Sequence, residues 1–146
     1  MRGANAARTP ELRDAAIAGT LNRPPCPACG KAHAASATLV YADPPRGHWI
    51  SVALLDELAR WGEIESAALV AFQTGLASTG ANTPGAARVR IVFDLDELRE
   101  RLVIWDAGLD DSVIECVKLL CLREQPDLRG PRERIRLMRV TTTATV

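Results

Sequence analysis

At 146 residues, with 18 acidic and 18 basic residues and 47% apolar side chains, the chain has the size of one domain and too much hydrophobic content for disorder. Zero net charge provides no global field toward nucleic acid or anionic lipid, and no apolar run reaches the roughly 20 residues of a membrane helix. The start lacks a charged-then-apolar export pattern, so the expected compartment is the cytoplasm, with four reduced cysteines rather than a disulfide-stapled secreted fold.

Met1 to Thr9 is small and polar and is expected to be frayed. Thr9, Pro10 and Glu11 then read as an N-cap, a proline at the first helical position and an acid in the first turn. Leu12, Ala15, Ala16 and Ile17 supply a short apolar face, and Gly19 stops this helix. Asn22 to Gly30 is a turn-rich segment in which three prolines forbid helix. Thr38–Tyr41 and Trp49–Val52 are β-rich runs around Asp43-Pro44-Pro45-Arg46-Gly47, which predicts a hairpin with a loop of five residues or slightly more.

From Leu54 to about Leu76 the period becomes helical, with Leu54, Leu58, Trp61, Ile64, Ala68, Ala71 and Phe72 on one stripe. Ser78 to Ala86 is a connection rich in small residues, and Val89 to Phe93 reads as a strand. Asp94 and Glu97 have capping-box spacing for a helix carrying Leu95, Leu98, Leu102 and Trp105, which Gly108 breaks. A helix from about Asp111 to Glu124 is apolar on most sides and is therefore expected to be central. Pro126 ends it, and Glu133 to Thr143 alternates as a last strand.

The strongest chemical signal is Cys26-Pro27-Ala28-Cys29-Gly30. Two thiolates two residues apart can bind one tetrahedral metal from a tight turn, and the following glycine permits the positive φ that turns backbone amides toward sulfur. A closed zinc site needs four ligands, and this pair supplies two. His33 and His48 are further candidate ligands, although a lone histidine beside a turn more often faces solvent. A dithiol redox role for Cys26 and Cys29 would require a helix starting at the first cysteine, and the surrounding prolines and glycine do not provide that context. Cys116 and Cys121 lie five apart, about 140° around a helix, so they read as small hydrophobes in a packed helix and not as a chelating pair. Asp110 and Asp111 read as an N-cap and a helix-dipole partner rather than an acid–base pair. Trp49, Trp61 and Trp105 fall at inward phases, and Arg132, Arg134 and Arg136 share one face of the last strand, where they could touch phosphate.

Taken together, Pro10–Arg13 with Gly19–Leu21, the Cys26–Gly30 turn, Leu39–Asp43 with Arg46–Ile50, Arg90–Phe93 through Glu100, and Gly108–Asp111 through Glu115, Lys118 and Leu119 resemble the CpXC family. The resemblance runs from Pro10 to about Glu124. It implies a bacterial protein with a cysteine-rich, zinc-ribbon-like front half and an α+β body. It also implies two Cys-Pro-x-Cys knuckles that jointly hold a metal, taken to be zinc. Cys26 and Cys29 match the second knuckle, and the first belongs before the helix at Pro10. The expectation is that the start is assigned too late and that the first knuckle lies upstream of Met1. The alternative is a half-site completed by a second chain.

The predicted fold is α+β: one domain over residues 1–146, with a zinc-ribbon-like cysteine turn and β-hairpin (10–53) packed on a helical and strand body (54–146). The expected function is a non-enzymatic, zinc-ribbon-like binding or scaffold module that acts on another protein or on itself, without a membrane partner. Zn2+ is the implied metal. The alternatives are a nucleic-acid module using the knuckle and Arg132, Arg134 and Arg136, which the neutral charge disfavours, and thirdly a thiol redox protein.

Overall fold

β-Branched, aromatic and other apolar side chains in alternation build the predicted hairpin from strands β2 (Leu39–Asp43) and β3 (His48–Val52), with Asp43 opposite His48 and Leu39 opposite Val52. The connection is a single 3-10 turn, Pro44–Arg46, closed by Gly47 in the left-handed region. The computed structural model describes residues 2–32, 38–79 and 87–125, and the chain divides into two units, Met1–Leu98 and Arg99–Val146.

In the first unit the hairpin is the middle of a mixed sheet with strand order β1-β2-β3-β4. Strand β1 (Arg2–Asn5) pairs parallel with β2, and β4 (Arg88–Val92) pairs parallel with β3. Residues 2–5 are therefore an edge strand and not a frayed end. No β-branched side chain in Arg-Gly-Ala-Asn signals a strand; the ladder with β2, continued by Ala6 N–H donating to the Ala42 carbonyl, does the ordering. Parallel neighbours require crossover connections. Helix α1 (Glu11–Ala18) lies in the first crossover, and helix α2 (Trp61–Thr79) lies in the second.

Helix α1 ends as predicted at Gly19, whose N–H donates to the Ala15 and Ala16 carbonyls. Its start differs. Pro10 occupies the cap position with helical dihedrals, and the backbone carbonyl of Thr9, rather than its hydroxyl, receives Leu12 N–H. The helix expected from Leu54 begins as a 3-10 segment, Leu55–Arg60, before α2 proper. Three residues per turn throw Leu58 and Trp61 off the 3.6-residue stripe, and both are exposed while Ala68 is buried.

One sheet face carries Leu39, Tyr41, Asp43, Ile50, Val52 and Val92, all buried, and forms the core of this unit. On the opposite face Trp49 meets Phe72 of α2 edge-to-face, with centroids 5.8 Å apart, and its indole lies 3.6 Å from where Gly75 would place a Cβ. Helix α3 (Leu95–Asp106) opens at the predicted Asp94 and Glu97 pair: Glu97 N–H donates to Asp94 Oδ1, and Glu97 Oε2 reaches one residue before the cap to accept from Phe93 N–H, both at 2.7 Å. Arg23 pairs with Asp96 beside it.

The second unit contains the end of α3, a break at Gly108 (φ 69°) and helix α4 (Asp111–Glu124). Leu102, Ile104 and Trp105 are buried. Asp110 caps α4 as predicted, accepting from Ser112 N–H at 2.8 Å and Val113 N–H at 3.3 Å. Asp110→Ala is expected to lower stability by about 1 kcal/mol in a denaturant titration, whereas Asp110→Asn should lose only a few tenths.

Helix α4 is not the central apolar helix the composition suggests. Val113, Val117, Leu119 and Leu120 are exposed, as are Cys116 and Cys121, which are therefore not packed core residues. The face that turns inward is mixed: Asp111, Glu115 and Lys118 follow one another at helical spacing beside the half-buried Ile114 and Leu122. Lys118 Nζ lies 2.7 Å from Glu100 Oε2 and 3.0 Å from Glu115 Oε1. Arg101 reaches Glu115 at 2.7 Å and Asp111 at 3.9 Å. The strand expected over Glu133–Thr143 lies outside the described residues.

Candidate metal half-site

Pro24 and Pro25 hold the chain extended on entry to the cysteine turn, and Pro25 bridges back to Ala32 across it. Cys26 N–H donates to the Lys31 carbonyl at 2.9 Å, and Gly30 N–H donates to the Cys26 carbonyl at 2.8 Å, so the five residues close on themselves. Gly30 has φ +70°, and nothing lies within 4 Å of the point a Cβ would occupy there, so its requirement is conformational and not steric.

This closure aims backbone amides at sulfur. The Cys26 thiol is held below its ordinary value chiefly by the backbone N–H of Ala28, then by the N–H and the thiol of Cys29, all of which favour the thiolate. Cys26 is half-buried, Cys29 is exposed and both are reduced. Two sulfurs within hydrogen-bonding reach on one rigid turn can occupy two positions of a tetrahedral thiolate site. The residue after Cys26 enters a turn rather than a helix, so the lowered thiol owes nothing to a helix N-terminus.

The other sequence candidates disperse. His48 opens β3 opposite Asp43, whose buried carboxylate meets Arg46 at 3.0 Å; His33 lies outside the described residues. Among the described residues, no group of three or more His, Cys, Asp or Glu side chains is placed to hold one metal ion. Asp110 is spent as a cap, and Asp111 is buried against Arg101. Trp49 and Trp105 pack as expected, whereas Trp61 is exposed because it leaves the 3-10 segment out of phase. Arg132, Arg134 and Arg136 lie outside the described residues. No helix among the described residues is long and apolar enough to cross a membrane.

The family model described as CpXC protein matches residues 2–118, which take in the cysteine turn, the whole sheet and the start of α4. The chain belongs to the CpXC family. No curated protein and no solved structure matches it. The CpXC match extends the similarity forward from Pro10 to Arg2, so that β1 is part of the family pattern. It also stops at Lys118, the residue whose ammonium meets Glu100 and Glu115. Sequence reasoning missed this ionic cluster, because its members are divided between two helices and each pair looks like ordinary surface charge.

Proposed function

We propose that this CpXC protein is a non-enzymatic, zinc-ribbon-like binding or scaffold module of the cytoplasm, in which Cys26 and Cys29 contribute two thiolates to a tetrahedral Zn2+ site. The observation that carries this reading is the closed cysteine turn, with the amides of Ala28 and Cys29 directed at the Cys26 sulfur. Thiolate ligands need such donors to offset their charge, and a preformed turn reduces the ordering cost of binding. The remaining two ligands come from a second cysteine pair, supplied by another knuckle or by another copy of the chain. Apolar side chains exposed on α4, including Val117 and Leu120, support a role exerted through contact with another protein.

Native mass spectrometry of the reduced chain with stoichiometric zinc tests this reading. The expected species is one zinc held by two chains, so that two pairs complete four thiolates. Cys26→Ser combined with Cys29→Ser should abolish it while leaving the circular dichroism unchanged. A metal-free monomer in the unsubstituted protein would overturn completion of the site by a second copy of the chain.

A further inference from the structure

Residues 23–32 stand largely clear of the rest of the first unit: Arg23 and Cys26 are half-buried and the other eight are exposed. The bonds that close the turn, from Cys26 N–H to the Lys31 carbonyl and from Gly30 N–H to the Cys26 carbonyl, lie within it. They fix its shape and not its direction. Among the described residues, the polar contact that ties this segment to the rest of the unit is a single ion pair, Arg23 with Asp96 of α3, 73 residues apart in the chain.

Both ends of this contact are held. Asp96 lies in the first turn of α3, whose start is set by Asp94 and Glu97. The three carboxylates outweigh the positive end of the helix dipole, so a cation is favoured there. Arg23 follows Asn22, the one non-glycine residue at positive φ (50°) among those described, a conformation asparagine tolerates. Pro24 and Pro25 then fix φ at two successive residues between Arg23 and Cys26, so little rotation separates the anchored residue from the first sulfur.

We propose that the Arg23–Asp96 pair is the positioning contact of the cysteine turn, setting from α3 the direction in which Cys26 and Cys29 present their sulfurs. The role of the sulfurs rests on the metal reading above, whereas the contact itself is tested without metal. The side chains are 26% and 41% exposed, so water screens the pair and its effect is a few-fold one.

Residual dipolar couplings of backbone amides in the reduced, metal-free full chain read the direction of the turn relative to the sheet. In the parent, the amides of Cys26, Ala28, Cys29, Gly30 and Lys31 should share one alignment frame with β2 and β3. Asp96→Asn should collapse their couplings toward zero while those of the sheet, α1 and α3 keep their values, and Asp96→Glu, which keeps the charge, should preserve the parent pattern. Arg23→Gln makes the same test should Asp96→Asn fail to fold. Zinc affinity, measured by competition with a chromophoric chelator, should fall about fivefold in Asp96→Asn and change by less than about twofold in Asp96→Glu. Couplings unchanged in both Asp96→Asn and Arg23→Gln would overturn the contact, and collapsed couplings with unchanged zinc affinity would overturn its positioning role. Collapsed couplings in a parent protein that takes up no zinc would sink completion of the site by a second copy and, if confined to the variants, leave the contact standing.

Discussion

Lys118→Met is expected to destabilise the second unit by about 3 kcal/mol, a larger loss than a surface ion pair can account for. The reason is burial. The Lys118 side chain is 12% exposed and that of Glu100 is 4% exposed, and their contact is 2.7 Å. Methionine keeps most of the volume and removes the ammonium, so the buried Glu100 loses the cation that offsets its desolvation, while Glu115 keeps Arg101 at 2.7 Å. A charge kept from water without that cation costs far more than the intact pair contributes. Two controls separate this cause from a packing effect. Cys116→Ser, on an exposed position of the same helix, should stay within about 0.5 kcal/mol of the parent. Adding Glu100→Gln to Lys118→Met should recover about half of the loss, because the second change removes the stranded charge. Urea unfolding measures all three, and a loss below about 1 kcal/mol for Lys118→Met would place the pair among solvated surface contacts.

Ile50→Ala should cost about 3–4 kcal/mol in the first unit. Ile50 is fully buried in β3, which is hydrogen-bonded to β2 on one side and β4 on the other, so neighbouring backbone cannot collapse into the space. The loss combines the transfer of three carbons with a residual cavity. Val40→Ala, half-buried on the other face and beside the solvent-open groove under α2, should cost markedly less. The test is a fall in denaturant midpoint at unchanged slope, since a changed slope would mean that the unfolded or native ensemble had altered. Equal losses for the two variants would show that the two sheet faces contribute alike to the core.

Where signals are local, the sequence was sufficient. Gly19 after an apolar turn, Asp94 with Glu97, and Asp110 before α4 each specify a helix end through groups a few residues apart, and each occurs as read. The hairpin follows from two alternating runs around a double proline and Gly47. The cysteine turn was equally legible, because its closure depends only on Cys26 through Lys31 and on one glycine at positive φ.

What failed to show depends on partners distant in the chain. Residues 2–5 have no strand signature and become β1 because β2, more than thirty residues on, offers an open edge. The apolar residues of α4 suggested a central helix, but Glu100 and Arg101 on α3 draw Lys118 and Glu115 to the inward face through short ionic contacts, and most of the apolar residues stay exposed. Trp61 left its expected stripe because a 3-10 segment changed the helical phase just before it. The groove under α2 has no sequence signature at all, since it arises only where the alanines of α2 meet the hairpin. Thus the sequence by itself determined the end of α1, the starts of α3 and α4, the hairpin, the CpXC cysteine turn and the α+β class. Tertiary structure alone decided the edge pairing, the side of α4 that turns inward and the space under α2, because these depend on which surfaces meet and not on the residues of any one segment.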